Sequence, residues 1–149
     1  MIIREATSED LYEISFLGKG FIERSISSKF ITFDQTNFHR ALITYIQNNF
    51  AKVWVAVDGE EIAGAICLIY TPNTYNSDEL LGDIYFIDVV PKYQKRGLAK
   101  DLMRTVEDWA KEHNIVALSM SLKQKEIADK ICNSMSYTLF EHKIIKKVT

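Results

Sequence analysis

The sequence predicts a mixed α/β domain, and three observations carry that prediction. Apolar residues recur with a two-residue period in some segments and a 3.6-residue period in others, in the order β-α-α-β-β-β-α-β-α-β. An Asp58-Gly59 pair between two apolar runs marks a tight antiparallel hairpin. Two strand-helix-strand passages in the last third require some parallel pairing. A length of 149 residues fits one domain spanning 1–149.

The elements follow in order. Ile2-Ile3-Arg4 reads as an opening strand. Thr7 precedes Asp10 by three residues, a capping-box variant. Leu11, Ile14, Leu17 and Phe21 then recur at helical spacing. Gly18, Gly20 and the 25–28 stretch are expected to interrupt this first helix. A second helix over Asp34 to Asn49 places Phe38, Ala41, Leu42, Tyr45 and Ile46 on one face. Val53–Val57 is a strand by composition, and Glu61 to Tyr70 returns from the Asp58-Gly59 turn. The segment from Thr71 to Leu81, with its Pro, Asn, Ser, Asp and Glu, reads as a polar loop. Gly82 to Val90 is a strand stopped by Pro91. Leu98, Leu102, Val106, Trp109 and Ala110 form a stripe that makes Gly97 to His113 a helix. Ile115 to Leu122 is a strand, Glu126 to Met135 a helix, and Thr138 to Lys147 a final strand.

Composition narrows the function. Apolar residues make up 47% and charged residues 26%, the balance of a soluble globular protein. The formal net charge of -2 argues against a basic nucleic-acid surface. No apolar run approaches a membrane span, and Met1 to Glu5 lacks a signal-peptide pattern. Cys67 and Cys132 are too few for a disulfide framework, which fits a reducing cytoplasm. His39, His113 and His142 show no metal-ligand spacing, so no metal is expected. Trp54 and Trp109 read as core residues.

The chemistry concentrates in Asp88-Val89-Val90-Pro91-Lys92-Tyr93-Gln94-Lys95-Arg96-Gly97-Leu98-Ala99. A buried strand ends, a short basic loop follows, and an amphipathic helix opens at Gly97. A helix N-terminus offers unpaired N–H groups and the positive end of a dipole. Small residues there admit a phosphate, so the segment reads as an anion site for a di- or polyphosphate. A Walker loop is excluded because Leu98 follows Gly97, and a dinucleotide fingerprint because only one Gly is present.

Gln94-x-x-Gly97-x-Ala99 resembles the acetyl-CoA loop of the GNAT N-acetyltransferase superfamily, Arg/Gln-x-x-Gly-x-Gly/Ala. The Val-x-Pro strand end, Tyr93, Leu102-Met103, the strand at Ala117–Leu122 and the Asp58-Gly59 hairpin before Ile62-Ala63-Gly64 extend the resemblance over essentially the whole chain. It implies a central, mixed, mostly antiparallel and splayed sheet flanked by about four helices. It implies acetyl-CoA as co-substrate, held by Gln94, Lys95, Arg96, Gly97, Leu98, Ala99 and Lys100, with Asp88, Val89 and Val90 pairing to the pantetheine arm. It also implies direct acetyl transfer to a primary amine of a small molecule or peptide. Lys123, Lys125 and Lys130 would flank the 3′-phosphate, or form a solvated face. A homodimer is one open oligomeric state.

Catalytic candidates are less well marked. Asp83 occupies the strand position where some members carry a base glutamate, and Asp88 lies beside the expected thioester. Strict alternation puts these two on opposite faces of the strand. Cys132 stands where the family often has a proton-donating Tyr, Ser136 where it has Gly, Tyr137 where it has Phe, and Lys125 replaces a common Asn. Cys132 is therefore a candidate general acid, with packing as its competing role. Tyr85 and Tyr137 are substitutes by residue type only. The missing Tyr keeps open a non-catalytic acyl-CoA-binding or protein-interaction module. Asp78, Glu79, Asp83 and Asp88, with no basic residue between Pro72 and Lys92, are expected to form an acidic mouth that steers a cationic acceptor.

Overall fold

The computed structural model describes residues 1–24, 26–122 and 124–149. Five strands form one sheet in the order β1-β2-β3-β4-β5: β1 (Ile2–Glu5), β2 (Ala51–Asp58), β3 (Glu61–Asn73), β4 (Asn76–Val89) and β5 (Ile115–Met120). Every pairing is antiparallel except β4 with β5. The parallel pair is joined by helix α3 (Leu98–Glu112), as a strand-helix-strand crossover requires. Helices α1 (Ser8–Glu23) and α2 (Gln35–Gln47) pack on one face of the sheet, and α3 and α4 (Lys125–Met135) on the other. This is the mixed, mostly antiparallel sheet with four helices expected from the sequence.

β3 is central and buried from Ile62 to Leu68. Its residues feed both cores. Ile66 and Leu68 meet Leu102, Met103 and Val106 of α3. Ala65 and Cys67 meet Ile14 of α1 and Leu42 of α2. A strand covered on both faces reads as an unbroken apolar run, which is how it appears in the sequence.

The opening of α1 is as the sequence predicts. The Thr7 hydroxyl accepts from the Asp10 N–H, and Asp10 accepts in turn from the Thr7 N–H at 2.6 Å. Arg4 Nη1 donates to the same carboxylate at 2.6 Å and Nη2 at 3.2 Å, tying β1 to α1. The expected interruption at Gly18 and Gly20 does not occur, since α1 is continuous to Glu23. Gly18 serves packing: a Cβ there would stand 2.5 Å from Phe38 Cε1 of α2. The expected break over 25–28 does occur: α1 ends at Glu23 and Ile26–Lys29 form a separate 3-10 turn, while residue 25 itself lies outside the described residues.

Two further expectations are corrected. The Thr71–Leu81 segment is not a loop. β3 runs on to Asn73, β4 starts at Asn76, and Thr74-Tyr75 make a two-residue turn between them. Its polar residues mark exposure of the strands. Asn73 and Asn76 also accept from the backbone N–H groups of Tyr75 and Asp78, which closes the tip. The final strand over Thr138 to Lys147 does not form either. Ser136 is left-handed, with φ 61°, and every residue from Thr138 to Thr149 is exposed and lacks a strand partner. Apolar alternation defines a strand only when a ladder is available to satisfy its backbone.

The Asp10 network sets a pH dependence. Its hydrogen bond from Arg4 outweighs burial and lowers the Asp10 pKa. A carboxylate whose folded pKa is depressed stabilises the fold above its unfolded value, about 3.9, and loses that contribution as pH falls through the folded pKa. Asp10→Asn is expected to lower the melting temperature at neutral pH. It should also flatten the loss of stability between about pH 5 and about pH 2, as read by thermal melts across that range.

Candidate functional site

The loop between β4 and α3 is held from both ends. Pro91 ends the strand because it offers no N–H, and Pro91–Tyr93 form a single 3-10 turn. Tyr93 is buried, and its hydroxyl lies 3.0 Å from the Asp58 carboxylate and 3.2 Å from that of Glu61. Burial and then the Asp58 bond push its pKa up, so it stays protonated and can donate. Lys92 and Arg96 lie over its ring, 5.0 Å and 5.8 Å from the centroid. Gln94 Nε2 donates to the Val89 carbonyl at 2.9 Å. The Gln94 side chain thus binds the loop to the strand that precedes it.

Above this anchor the backbone curls. Lys95 and Gly97 are both left-handed, with φ 62° and 82°. Such alternation turns successive N–H groups towards one concavity that suits an anion. Gly97 is the N-cap of α3, and no side chain caps the helix. The first α3 bond to Gly97 comes from the Asp101 N–H at 3.1 Å, so the amides of Leu98, Ala99 and Lys100 precede it. A Cβ on Gly97 would meet nothing within 4 Å, so the space beside the N-cap is open. Lys95 and Arg96 are exposed beside it. The residues present therefore fit a phosphate-bearing ligand.

The adjoining strand opens at the same end. β5 pairs with β4 only over Leu80 to Ile84. From Tyr85 to Val89 the outer edge of β4 has no strand beside it among the described residues, while its inner edge stays paired with β3. The sheet is therefore splayed next to the anion loop, and an extended ligand can pair with the free edge.

A bulge lies in the same stretch. Leu68 opposes Ile84 and Cys67 opposes Phe86, which leaves Tyr85 as the extra residue. This corrects the placement of the two aspartates. Asp83 opposes Ile69 and Asp88 opposes Ala65, and both partners belong to the α1/α2 face. The extra residue reverses the alternation, so Asp83 and Asp88 share that face, four strand steps or roughly 13 Å apart. Their surroundings differ. Arg24 Nη2, at the end of α1, donates to both oxygens of Asp88 at 2.8 and 2.9 Å. Burial nevertheless raises the Asp88 pKa, with Arg24 opposing it. Asp83 accepts one bond, from the Ser119 hydroxyl at 3.0 Å. The nearby Cys67 thiol is pushed up to about 12, by burial first and then by the Asp83 charge, and is chemically inert.

On the same face a cavity of about 300 Å³ lies between α1, the segment before α2, and the bulge. Phe21, Phe33, Phe38, Tyr85 and Phe86 line it with Ile22 and Ile31, and Thr32, Asp34 and Asn37 form a polar margin. Asp34 is engaged in capping α2, accepting from the Asn37 N–H at 2.8 Å. The expected acidic mouth is not assembled. Asp78 and Glu79 stand near the far tip of the β3–β4 hairpin, and Asn114 binds the Asp78 carbonyl there. Seven strand steps, or roughly 23 Å, separate Asp78 from Tyr85.

The remaining candidates lie elsewhere. Cys132 is half-buried on α4. Tyr137 packs against the α3 core. Its hydroxyl is buried without a well-formed hydrogen bond, and burial, then the Glu107 charge, push its pKa up. Lys125 and Lys130 are exposed on α4, and Lys123 lies outside the described residues. Sequence reasoning missed Arg24, Ser119 and the cavity. Only the cavity left a signal, in the density of Phe around the first two helices.

Residues 20–127 match the family model described as the acetyltransferase (GNAT) family. The chain belongs to the GNAT acetyltransferase family. No curated protein matches the sequence. Its fold is shared with a transcriptional regulator from Bacillus halodurans C-125, with 19% identity, a TM-score of 0.79 and 97% of each chain covered. It is also shared with a predicted acetyltransferase, solved with acetyl-CoA, from Clostridium acetobutylicum, with 15% identity, a TM-score of 0.78 and 97% and 94% covered. A ribosomal-protein-alanine N-acetyltransferase from Brucella melitensis biovar Abortus 2308 is similar at 16% identity and a TM-score of 0.70, with 97% and 98% covered. No described helix is long and apolar enough to cross a membrane.

The Arg24–Asp88 pair predicts a coupled titration. Arg24→Met keeps the apolar stem and removes the charge that offsets burial. The Asp88 pKa is expected to rise further, read as an upward-shifted titration of its carboxyl carbon by NMR.

Proposed function

We propose that this GNAT chain is an acetyl-CoA-dependent N-acetyltransferase that transfers acetyl directly to a primary amine of a small molecule or peptide. One observation carries the reading: the uncapped N-terminus of α3, with left-handed Lys95 and Gly97, lies next to the free outer edge of β4. The loop amides and α3 N-terminus would take the pyrophosphate, flanked by Lys95, Arg96 and Lys100. Along Asp88, Val89 and Val90 the outward-facing backbone groups would pair with the pantetheine arm, the Val90 N–H being given inward to the Ala63 carbonyl. The thioester would then reach the bulge from one face while an amine in the aromatic cavity approaches from the other.

The chemistry follows from that placement. A neutral amine attacks the thioester carbonyl carbon, the C–N bond forms, and the C–S bond breaks to release the thiolate of coenzyme A. An outward-facing N–H at the free β4 edge would stabilise the developing oxyanion. The amine proton needs an acceptor on the cavity face, and Asp83 suits this better than Asp88. Asp83 accepts one hydroxyl bond, whereas Arg24 engages both oxygens of Asp88. Cys132 takes the position of the family's proton donor, but its half-buried place on α4 fits packing. Five aromatic rings in the cavity support an acceptor with an apolar or aromatic body. Unpaired Cys67 and Cys132 suit a reducing, cytoplasmic setting. We read the working unit as a homodimer, on the support of the exposed C-terminal segment. A second reading, an acyl-CoA-binding module without turnover, draws on the missing Tyr. A thiol-release screen over apolar and aromatic amines, polyamines, aminoglycosides and peptides separates the two, since only the enzyme releases thiol.

Two outcomes test the site. Gly97→Glu places a charge and a strained φ at the mouth of α3. It is expected to abolish acetyl-CoA binding by calorimetry while circular dichroism stays native, and unchanged affinity in a folded variant would remove the anion-site argument. Cys132→Ala is expected to lower the melting temperature slightly and leave turnover nearly intact. A fall of roughly 10²–10⁴-fold in the maximal rate would instead make Cys132 the general acid.

A further inference from the structure

A second, smaller cavity adjoins the one between α1, α2 and the bulge. It measures about 90 Å³, against about 300 Å³ for its neighbour. The two share Phe38 of α2 and Tyr85 of β4 as walls. Ala41 and Tyr45 of α2 form the side of the smaller chamber, and Cys67 and Ile69 of β3 its floor. No charged side chain lines it among the described residues. The Cys67 thiol, held protonated by burial, acts there as a small hydrophobe. An apolar group gains from entering such a space, whereas a charge would be stranded in it.

The partition between the chambers is fixed on one side and free on the other. Phe38 is seated on Gly18, where a Cβ would stand 2.5 Å from its ring, and is flanked by Phe33 and Phe86 at centroid distances of 5.6 and 6.3 Å. Tyr85 is 58% exposed, and its side chain has no hydrogen bond or ring contact among the described residues. Consecutive strand residues ordinarily face opposite ways. The bulge is what lets Tyr85 and Phe86 line one cavity, so the inserted residue also builds the wall.

We propose that the small chamber is a specificity subsite for the acceptor, a primary amine on a forked apolar skeleton. An aromatic arm fills the large chamber and a short alkyl arm the small one, with the amine at the fork over Tyr85. This deepens the transferase reading given above and rests on it. The sizes set the arms. A cavity of ~150 Å³ takes a benzene ring, so the large chamber admits a ring with its linker and the small one admits no ring. At roughly 30 Å³ for a water-sized group, the small chamber holds about three carbons. A shared wall puts the chambers side by side, so a skeleton that fills both must branch at its rim.

The test is a series: phenethylamine and its analogues with methyl, propyl or benzyl on the amine-bearing carbon, each as both enantiomers. Thiol release with acetyl-CoA gives catalytic efficiency. Calorimetry on the chain saturated with coenzyme A gives affinity without turnover. Both are expected to rise roughly four- to tenfold per added carbon as far as propyl, to fall at benzyl, and to favour one enantiomer. Ala41→Leu fills the small chamber and is expected to erase the gain, so that propyl and unbranched amines are used alike. Tyr85→Ala, at an exposed position, lowers the partition and is expected to admit the benzyl arm. Values that stay flat from the unbranched amine to propyl overturn the subsite, as does a propyl gain that survives Ala41→Leu in a folded chain. Calorimetric order without thiol release from any amine overturns the transferase reading and leaves the subsite standing; neither order nor release overturns both.

Discussion

The site depends on β4 losing its outer neighbour after Ile84. Up to that residue β5 satisfies the outer edge of β4; beyond it, Tyr85 to Val89 are paired on one side only. An open strand edge inside a covered sheet is costly unless something pairs with it. Here it lies directly before the turn that opens into α3. The free strand edge and the uncapped helix N-terminus thus lie at the two ends of one short turn.

The loop that joins them is rigid for local reasons. Tyr93 is sunk between the hairpin carboxylates of Asp58 and Glu61 on one side and the cations of Lys92 and Arg96 on the other. Gln94 fastens the turn to Val89. The left-handed Lys95 and Gly97 are thus imposed from below by anchored neighbours. Preformed amides lose little freedom when an anion arrives, which is the physical use of such a loop.

Electrostatics divides the two aspartates that the bulge has brought to one face. Asp88 is nearly buried, and Arg24 from the end of α1 offsets part of its cost of burial, so the pair ties that helix to the splayed part of β4. Asp83 lies farther back on the same face with Ser119 and borders the aromatic side of the sheet. One inserted residue, Tyr85, both turns the strand and sets the relation between the carboxylates and the cavity. The charged residues near the hairpin tip, close in sequence, are remote in space because a strand carries them away at about 3.3 Å per residue.

The sequence by itself determined what is local. Periodicity located all four helices and the five paired strands; Thr7 and Asp34 marked helix starts, and Asp58-Gly59 marked the hairpin. The Gln94 to Ala99 spacing located the loop, because its chemistry lies in consecutive backbone groups that side-chain size announces. Tertiary structure decided the rest. Gly18 reads as a helix breaker until Phe38 is placed against it. Polar residues read as loop over Thr71 to Leu81 because exposure and irregularity have the same composition. A bulge leaves no compositional mark, so alternation misassigned Asp83 and Asp88, and Arg24 is 64 residues from its partner. The last strand pattern remained a pattern because a strand is completed by its neighbour, and no stretch of sequence contains its own neighbour.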